Sequence, residues 1–209
     1  MKKSKKEEEQ LPAEIEGLIT ELAQLRYEED QERFDDIVAE LVNHGGTLLP
    51  RLVVLADGLV YQHRRAAVEA LGQLGVPEAR AVVVARLSDA NWKVRRSAAV
   101  AVNESPFPEA LPGLLRLVTD NHRELRLAVI EALGALGLTG ACEPLEGLLT
   151  DGDWRIRQEG AQALERIGDL RSFRALFVAL SDDDEDVRNA CCDALATLLA
   201  KADDPFLHA

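Results

Sequence analysis

Few residues in this chain have the types that do chemistry, and their spacing says more than their number. The only two tryptophans, Trp92 and Trp154, open segments with the same order of neighbours, NWKVRRSAAVAV and DWRIRQEGAQAL. An arginine follows each by three residues, Arg95 and Arg157. The four histidines, His44, His63, His122 and His208, are not paired at the spacing that sets two imidazoles on one helix face for a metal. The three cysteines are Cys142, Cys191 and Cys192. An odd count with an adjacent pair implies neither a disulfide framework nor a C-x-x-C redox site. A reducing, cytoplasmic setting fits them. No G-x-S-x-G, Walker loop or H-E-x-x-H occurs. Gly134, Gly137 and Gly140 are spaced like part of a phosphate loop but stand at a helix end, as turn residues. Asp182, Asp183, Asp184, Glu185 and Asp186 lack the glycine and distal glutamate of a calcium loop. They suit a helix start, where carboxylates favour the dipole. The expectation is no catalytic group, no metal and no cofactor.

The elements that must position these residues are helices. Ala, Leu, Glu and Arg dominate, and runs of strand formers are almost absent. The chain has 209 residues, and 47% of them are apolar, enough for a substantial core. Aromatics are only 4%, so that core is built from Ala, Leu and Val. The formal charge is −13. Residues 1–10 carry four Lys and three Glu, +1, which leaves −14 for the rest. Such a balance argues against a phosphate backbone and against an anionic membrane surface as partner. No apolar run approaches the length of a membrane span. The segment 1–10 lacks an apolar stretch of the secretory kind and reads as a solvated, disordered tail.

A period of 31 residues organises what remains. Arg33, Arg64, Arg95, Arg126, Arg157 and Arg188 stand at equal steps. Six residues after each comes Ala39, Ala70, Ala101, Ala132, Ala163 or Ala194. Asp89, Asp120, Asp151 and Asp182 form another column, and Gly75, Gly137 and Gly168 a third. Such self-similarity signals stacked repeats. Each unit reads as two short helices. Pro77–Ser88 starts with a proline suited to a first turn, and Trp92–Glu104 puts Val94, Ala98, Ala101 and Val102 on one face. Asp89 and Asn91 offer caps, as does Asp153 before Trp154, and the glycines suit helix C-caps. One pair cannot bury its apolar face alone, whereas stacked pairs can. Cys191 and Cys192 fall in columns of small apolar residues and are expected to be buried.

The strings IRQEGAQALERIGD, LRLAVIEALGALGL and VRNACCDALATLLA resemble the short HEAT-like repeat of the phycobilisome-lyase type. The resemblance covers about residues 45–200. It implies an all-α solenoid, a right-handed superhelix of about six 31-residue pairs. The expected organisation is a charged tail at 1–10, a solenoid at 11–201 and a tail at 202–209. Residues 11–43 form its N-terminal cap repeat and 44–201 five regular repeats. NESPF, in place of the usual turn, marks an irregularity between Asn103 and Pro108. The resemblance also implies that the arginines pair with the turn aspartates, which outweighs an anion-binding ladder.

Three residues before each arginine stand Tyr61, Trp92, Arg123, Trp154 and Glu185. At 100° per residue, Trp92 lies 200° from core Val94 and points away from the core. The resemblance places the second helices on a concave surface. There the two tryptophans would stand roughly 20 Å apart, given roughly 8–10 Å between packed helices. Trp, Tyr and Arg are enriched at binding hot spots. The candidate protein-binding residues are Tyr61, Trp92, Lys93, Arg96, Arg123, Leu127, Trp154, Arg155 and Gln158. The competing reading is that each tryptophan merely packs on its own or an adjacent turn. Relatives of this type include scaffolds, adaptors, bilin lyases and hydroxylases. The His-Glu pairs of the hydroxylases are missing, and the near-neutral groove does not suit a DNA glycosylase. The function expected is a non-enzymatic cytoplasmic adaptor or scaffold holding a protein or peptide. The alternative is a bilin lyase-like subunit or chaperone that handles a linear tetrapyrrole.

Overall fold

The computed structural model describes residues 13–26 and 29–202. Among them every regular element is helical: α1 (Ala13–Leu22), α2 (Gln31–Asn43), α3 (Gly45–Ala56), α4 (Tyr61–Leu74), α5 (Arg80–Arg86), α6 (Trp92–Glu104), α7 (Leu111–Leu115), α8 (Arg123–Leu136), α9 (Cys142–Leu148), α10 (Trp154–Ile167), α11 (Phe173–Ala179) and α12 (Glu185–Ala202). The expected tail 1–10 and all but Ala202 of the tail 202–209 lie outside the described residues.

Each pair folds as its columns dictate. In four units a short 3-10 turn leads into the first helix, at Pro77–Ala79, Pro108–Ala110, Thr139–Ala141 and Leu170–Ser172. The single helix expected from Pro77 to Ser88 is therefore a 3-10 turn followed by α5. The second helix starts where the sequence places it, at Trp92, with the Asn91 side chain accepting the Lys93 N–H at 2.9 Å. Asp153 caps α10 in the same way through the Arg155 N–H, at 2.9 Å. Three second helices end on a left-handed glycine: Gly75 (φ 61°), Gly137 (φ 64°) and Gly168 (φ 70°). A side chain would be strained there. The third unit has Pro106 in that place, and α6 ends at Glu104 without a left-handed cap. The chain runs on extended to Phe107, which is buried with the Arg80 guanidinium 5.6 Å from its ring.

Packing joins the pairs into one stack. The buried apolar residues form a single cluster that runs from Ile15 in α1 to Leu198 in α12. Ala70, Ala101, Ala132, Ala163 and Ala194 of the alanine column are buried, as the small-residue pattern requires, whereas Ala39 in the first unit is exposed. Each fully buried Leu or Ile contributes roughly 1.5–3 kcal/mol relative to exposure. Helices α4, α6, α8, α10 and α12 pack side by side along their lengths, whereas successive first helices barely touch. Helices α4 and α6 approach closely at Gly72, where an added Cβ would lie 2.5 Å from the Ala101 Cβ. In a curved stack the more tightly spaced layer is the inner one, so the second helices line the concave face.

Candidate functional site

The groove is held in shape by a ladder of ion pairs. Four of the six column arginines reach forward to the turn aspartate of the next unit, 25 residues on. The pairs are Arg64–Asp89 at 2.7 Å, Arg95–Asp120 at 2.8 Å, Arg126–Asp151 at 2.5 Å and Arg157–Asp182 at 2.7 Å. The same aspartates accept backbone N–H groups two residues on, from Asn91, His122, Asp153 and Asp184. Arg64, Arg95, Arg157 and Arg188 also donate to carbonyls five and six residues back. The column is thus structural, as the resemblance implied. At the start of the stack Arg33 turns back instead to Glu21 of α1. The hydrogen-bonded Arg157 guanidinium lowers the Asp182 carboxyl to a pKa of about 2.

The candidate residues sit where the second helices begin. Tyr61, Trp92, Arg123, Trp154 and Glu185 are each the first residue of their helix. Trp154 is 37% exposed with the Arg155 guanidinium 5.2 Å from its ring centroid. Trp92 is half-buried and stacks on His122, with ring centroids 4.8 Å apart and planes 16° apart. His122 belongs to the next unit's turn and is held by Asp120 at 2.9 Å. The packing reading thus describes Trp92, while Trp154 presents its ring to solvent. The Lys93 ammonium lies 5.7 Å from the Tyr61 ring and 5.9 Å from the Trp92 ring, which links the two aromatics. Arg123, 40% exposed, is ion-paired with Asp153 and fixes the cap of α10. That guanidinium holds the Asp153 carboxyl below its usual range. Arg96 lines a cleft on the groove face, while Leu127 and Gln158 are half-buried further along. Leu127 packs against the core rather than standing free.

Deeper in the groove runs a row of carboxylates outside the candidate set. The cleft, of about 160 Å³, is bounded by α2, α4 and α6 and includes Arg65, Glu69, Arg96, Ser97 and Glu104. Arg65 is 4% exposed, lies 3.8 Å from the Phe34 ring and donates to Glu69 at 3.0 Å. Ser97 donates to Glu69 at 2.5 Å across the unit boundary. One period of two units later, Glu131 takes the place of Glu69 and Glu159 that of Ser97. Burial raises Glu159 above the usual carboxylate range, and the charge of Glu131 raises it further. Burial likewise raises Glu104, helped by Glu69. Among the described residues, Glu104, Glu131 and Glu159 accept no hydrogen bond and join no ion pair. A sequence signal for this existed: Glu159 breaks a column otherwise held by Ala66, Ser97, Ala128 and Ala190.

Of the two cysteines expected to be buried, Cys191 is and Cys192 is not. Cys142 and Cys191 are buried, and burial raises the Cys191 thiol to about 11. Cys192 is exposed. Its column mates Val68, Ala99, Ile130 and Ala161 are covered by the following pair, and among the described residues no helix pair follows α12. No cluster of three or more metal-ligating side chains occurs among the described residues. No described helix is long and apolar enough to cross a membrane. On the outer layer, a shallow depression of about 390 Å³ between α9 and α11 is lined mainly by Leu149, Ala175, Val178, Ala179 and Arg174.

The model for HEAT repeats matches residues 49–134, 85–165 and 145–207. No curated protein sequence matches the chain. Among solved structures, an engineered protein is 21% identical with a TM-score of 0.64, covering 90% of this chain and 97% of its own. A designed armadillo repeat protein in complex with the peptide (KR)4 is 20% identical with a TM-score of 0.62, covering 88% and 99%. The CpcE–CpcF complex of phycocyanin lyase from Nostoc sp. PCC7120 is 21% identical with a TM-score of 0.59, covering 95% and 81%. At such identities these likenesses concern the fold alone. With repeat matches spanning most of the chain and an armadillo-like helical solenoid for its structure, the protein belongs to the HEAT-repeat family.

Proposed function

We propose that the chain is a non-enzymatic interaction module, a cytoplasmic adaptor or scaffold whose concave face holds a protein or peptide. The observation that carries the reading is the track of aromatic and cationic side chains at the starts of the second helices: Tyr61, Lys93, Trp92, Trp154 and Arg155. A large ring 37% exposed at the mouth of a groove is the kind of group that anchors interfaces. The ladder keeps that track rigid, so little ordering entropy opposes binding. The designed armadillo relative supports the reading to the extent that a solenoid of this shape can hold an extended peptide.

The test is affinity capture with the wild type and with Trp154→Ala, alone and combined with Trp92→Ala, after circular dichroism has shown both variants folded. A partner lost by the folded Trp154→Ala variant supports the groove. A partner kept by both variants refutes it. The lyase-like reading uses the same track to hold a linear tetrapyrrole, and its fold likeness to the CpcE–CpcF complex is what favours it. A long-wavelength tetrapyrrole absorbance that co-purifies with the protein would replace the adaptor reading.

A further inference from the structure

Beyond α12 the stack stops on a face with the composition of an inner contact rather than of a polar cap. Leu180 is half-buried, whereas Ala56, Leu87, Val118 and Leu149 of its column are buried. Cys192 is exposed where Val68, Ala99, Ile130 and Ala161 are covered. Phe177 is 60% exposed in the column of Glu146, which reaches into the next unit to accept from Ser172 at 2.7 Å. Ala196 is exposed in the column of Gly72 and Gly134, where an added Cβ would strike Ala101 or Ala163 of the next helix. Leu199 is 51% exposed in the column of Gly168, where an added Cβ would run into Lys201 of the next helix. The ladder is open at the same place. Arg188 Nη1 is held by the Asp182 and Asp183 carbonyls at 2.8 and 3.0 Å, as Arg64, Arg95 and Arg157 are held in their own turns. Those three send the rest of the guanidinium forward to an aspartate. Arg188 has no aspartate 25 residues ahead in the sequence, and among the described residues it joins no ion pair. A guanidinium held in place with its forward edge unclaimed calls for a carboxylate, independently of the apolar columns.

We propose that this end of the stack takes an α-helix of a partner protein, laid beside α12 as α12 lies beside α10. The contacts between inner units say what that helix carries. Each inner second helix is preceded by an aspartate that meets the arginine behind it, and twelve residues later brings an alanine against the helix behind it: Asp89 and Ala101, Asp120 and Ala132, Asp151 and Ala163. The partner helix therefore begins with an aspartate on Arg188, sets a small residue over Ala196, and covers Cys192 and Leu199 with apolar side chains. Other occupants fit less well. Arg188 and the far end of α12 are about 20 Å apart at 1.5 Å per residue. Asp203 and Asp204 leave that far end, and two residues of chain reach only about 7 Å, so neither carboxylate returns to Arg188. The front of a second copy has Tyr27 and Gly58 where the ladder needs an aspartate. The same end of a second copy would bring the exposed Glu185, Asp186 and Asp193 towards their own images. Those carboxylates favour instead a partner helix with basic side chains on its flank.

The probe is a labelled peptide with the sequence of residues 151–168, bridged on its outer face to keep it helical and titrated against the full chain by fluorescence anisotropy. It carries the aspartate and the alanine at the required interval, as Asp151 and Ala163. The peptide is expected to bind, and at saturation to slow thiol labelling of Cys192 at least about tenfold. Asp151→Asn in the peptide, or Arg188→Gln in the protein, should weaken binding at least about tenfold, as the loss of a charge-assisted hydrogen bond does. Leu199→Glu should abolish binding; the site is exposed, so the fold should persist, and circular dichroism checks that it does. Trp154→Ala should leave the affinity for this peptide unchanged, so the end of the stack and the concave face succeed or fail separately. No binding, binding that ignores both Arg188→Gln and Leu199→Glu, an Asp151→Asn peptide that binds as well, or Cys192 labelling that ignores the bound peptide overturns the proposal. So does a protein that is dimeric by light scattering with Cys192 protected before any peptide is added, since a second copy would then be the occupant.

Discussion

Replacing Asp182 with asparagine isolates one rung of the ladder. Asp182 accepts from Arg157 Nε at 2.7 Å and Nη2 at 2.8 Å, and from the Asp184 N–H at 2.9 Å. The side chains of the pair are only 12% and 8% exposed, so the weak limit for surface pairs does not apply. The drop of its pKa from 3.8 to about 2 sets a ceiling of about 2 kcal/mol, at about 1.4 kcal/mol per unit. Screening and the contacts Arg157 keeps, to Asp183 and to the Asp151 carbonyl, bring the expected loss to about 1–2 kcal/mol. For a chain of this length that is a fall in Tm of about 2–8 °C. A double-mutant cycle with Arg157→Met should return a coupling of the same size. The folded-state pKa is depressed, so the stabilisation is full above about pH 4 and is lost as pH falls towards about 2. The gap between wild type and Asp182→Asn should close over that window in denaturant titrations followed by circular dichroism. Repeat units couple to their neighbours, so amide exchange should quicken in α12 more than in α4. A coupling below about 0.3 kcal/mol, or a gap that persists unchanged to about pH 2, would refute the ladder as a source of stability.

Two further outcomes can be read from stability and reactivity. Gly72→Ala should destabilise by about 1–2 kcal/mol, because its Cβ would sit 2.5 Å from Ala101 Cβ and 2.9 Å from Ala101 Cα. Gly17→Ala in α1 has nothing within 4 Å and should stabilise by about 0.5–1 kcal/mol; thermal melts that rank the two the other way would contradict the packing. Under native conditions a thiol reagent should modify Cys192 quickly and Cys142 and Cys191 only on unfolding. Mass spectrometry with Cys192→Ser checks this, and rapid labelling of Cys191 would show that the α12 packing is wrong.

The 31-residue period, the caps at Asn91 and Asp153, the left-handed glycines and the Arg–Asp partnership were all legible, because each is local or repeats at a fixed offset. What escaped depends on which column of one unit meets which column of the next. His122 covers Trp92 because the start of α6 leans towards the following turn, a fact no single unit contains. Arg123 looks free in its column, yet the cap residue Asp153 of the next unit claims it. Glu131 and Glu159 lie 28 residues apart and meet only because α8 and α10 stack. Cys192 departs from its column because burial there comes from the next helix pair, not from the residue's own helix.

The ladder also constrains how the length of such a chain can change. Each of the four rung arginines must find an aspartate 25 residues ahead, and each aspartate must find its own turn two residues on. Excising residues 95–125 would place Arg126 in the position of Arg95 and leave Asp151 to receive it, with every remaining rung intact. A deletion of thirty or thirty-two residues at the same place would turn the start of the hybrid helix by about 100° from the rest of it, so the junction would lose its core face even though the later rungs keep their own partners. Length is therefore quantised in whole units. Each unit gained or lost moves the two ends of the groove by one helix spacing, roughly 8–10 Å, without altering either end. The same residues can thus be set to partners of different reach by recombination alone.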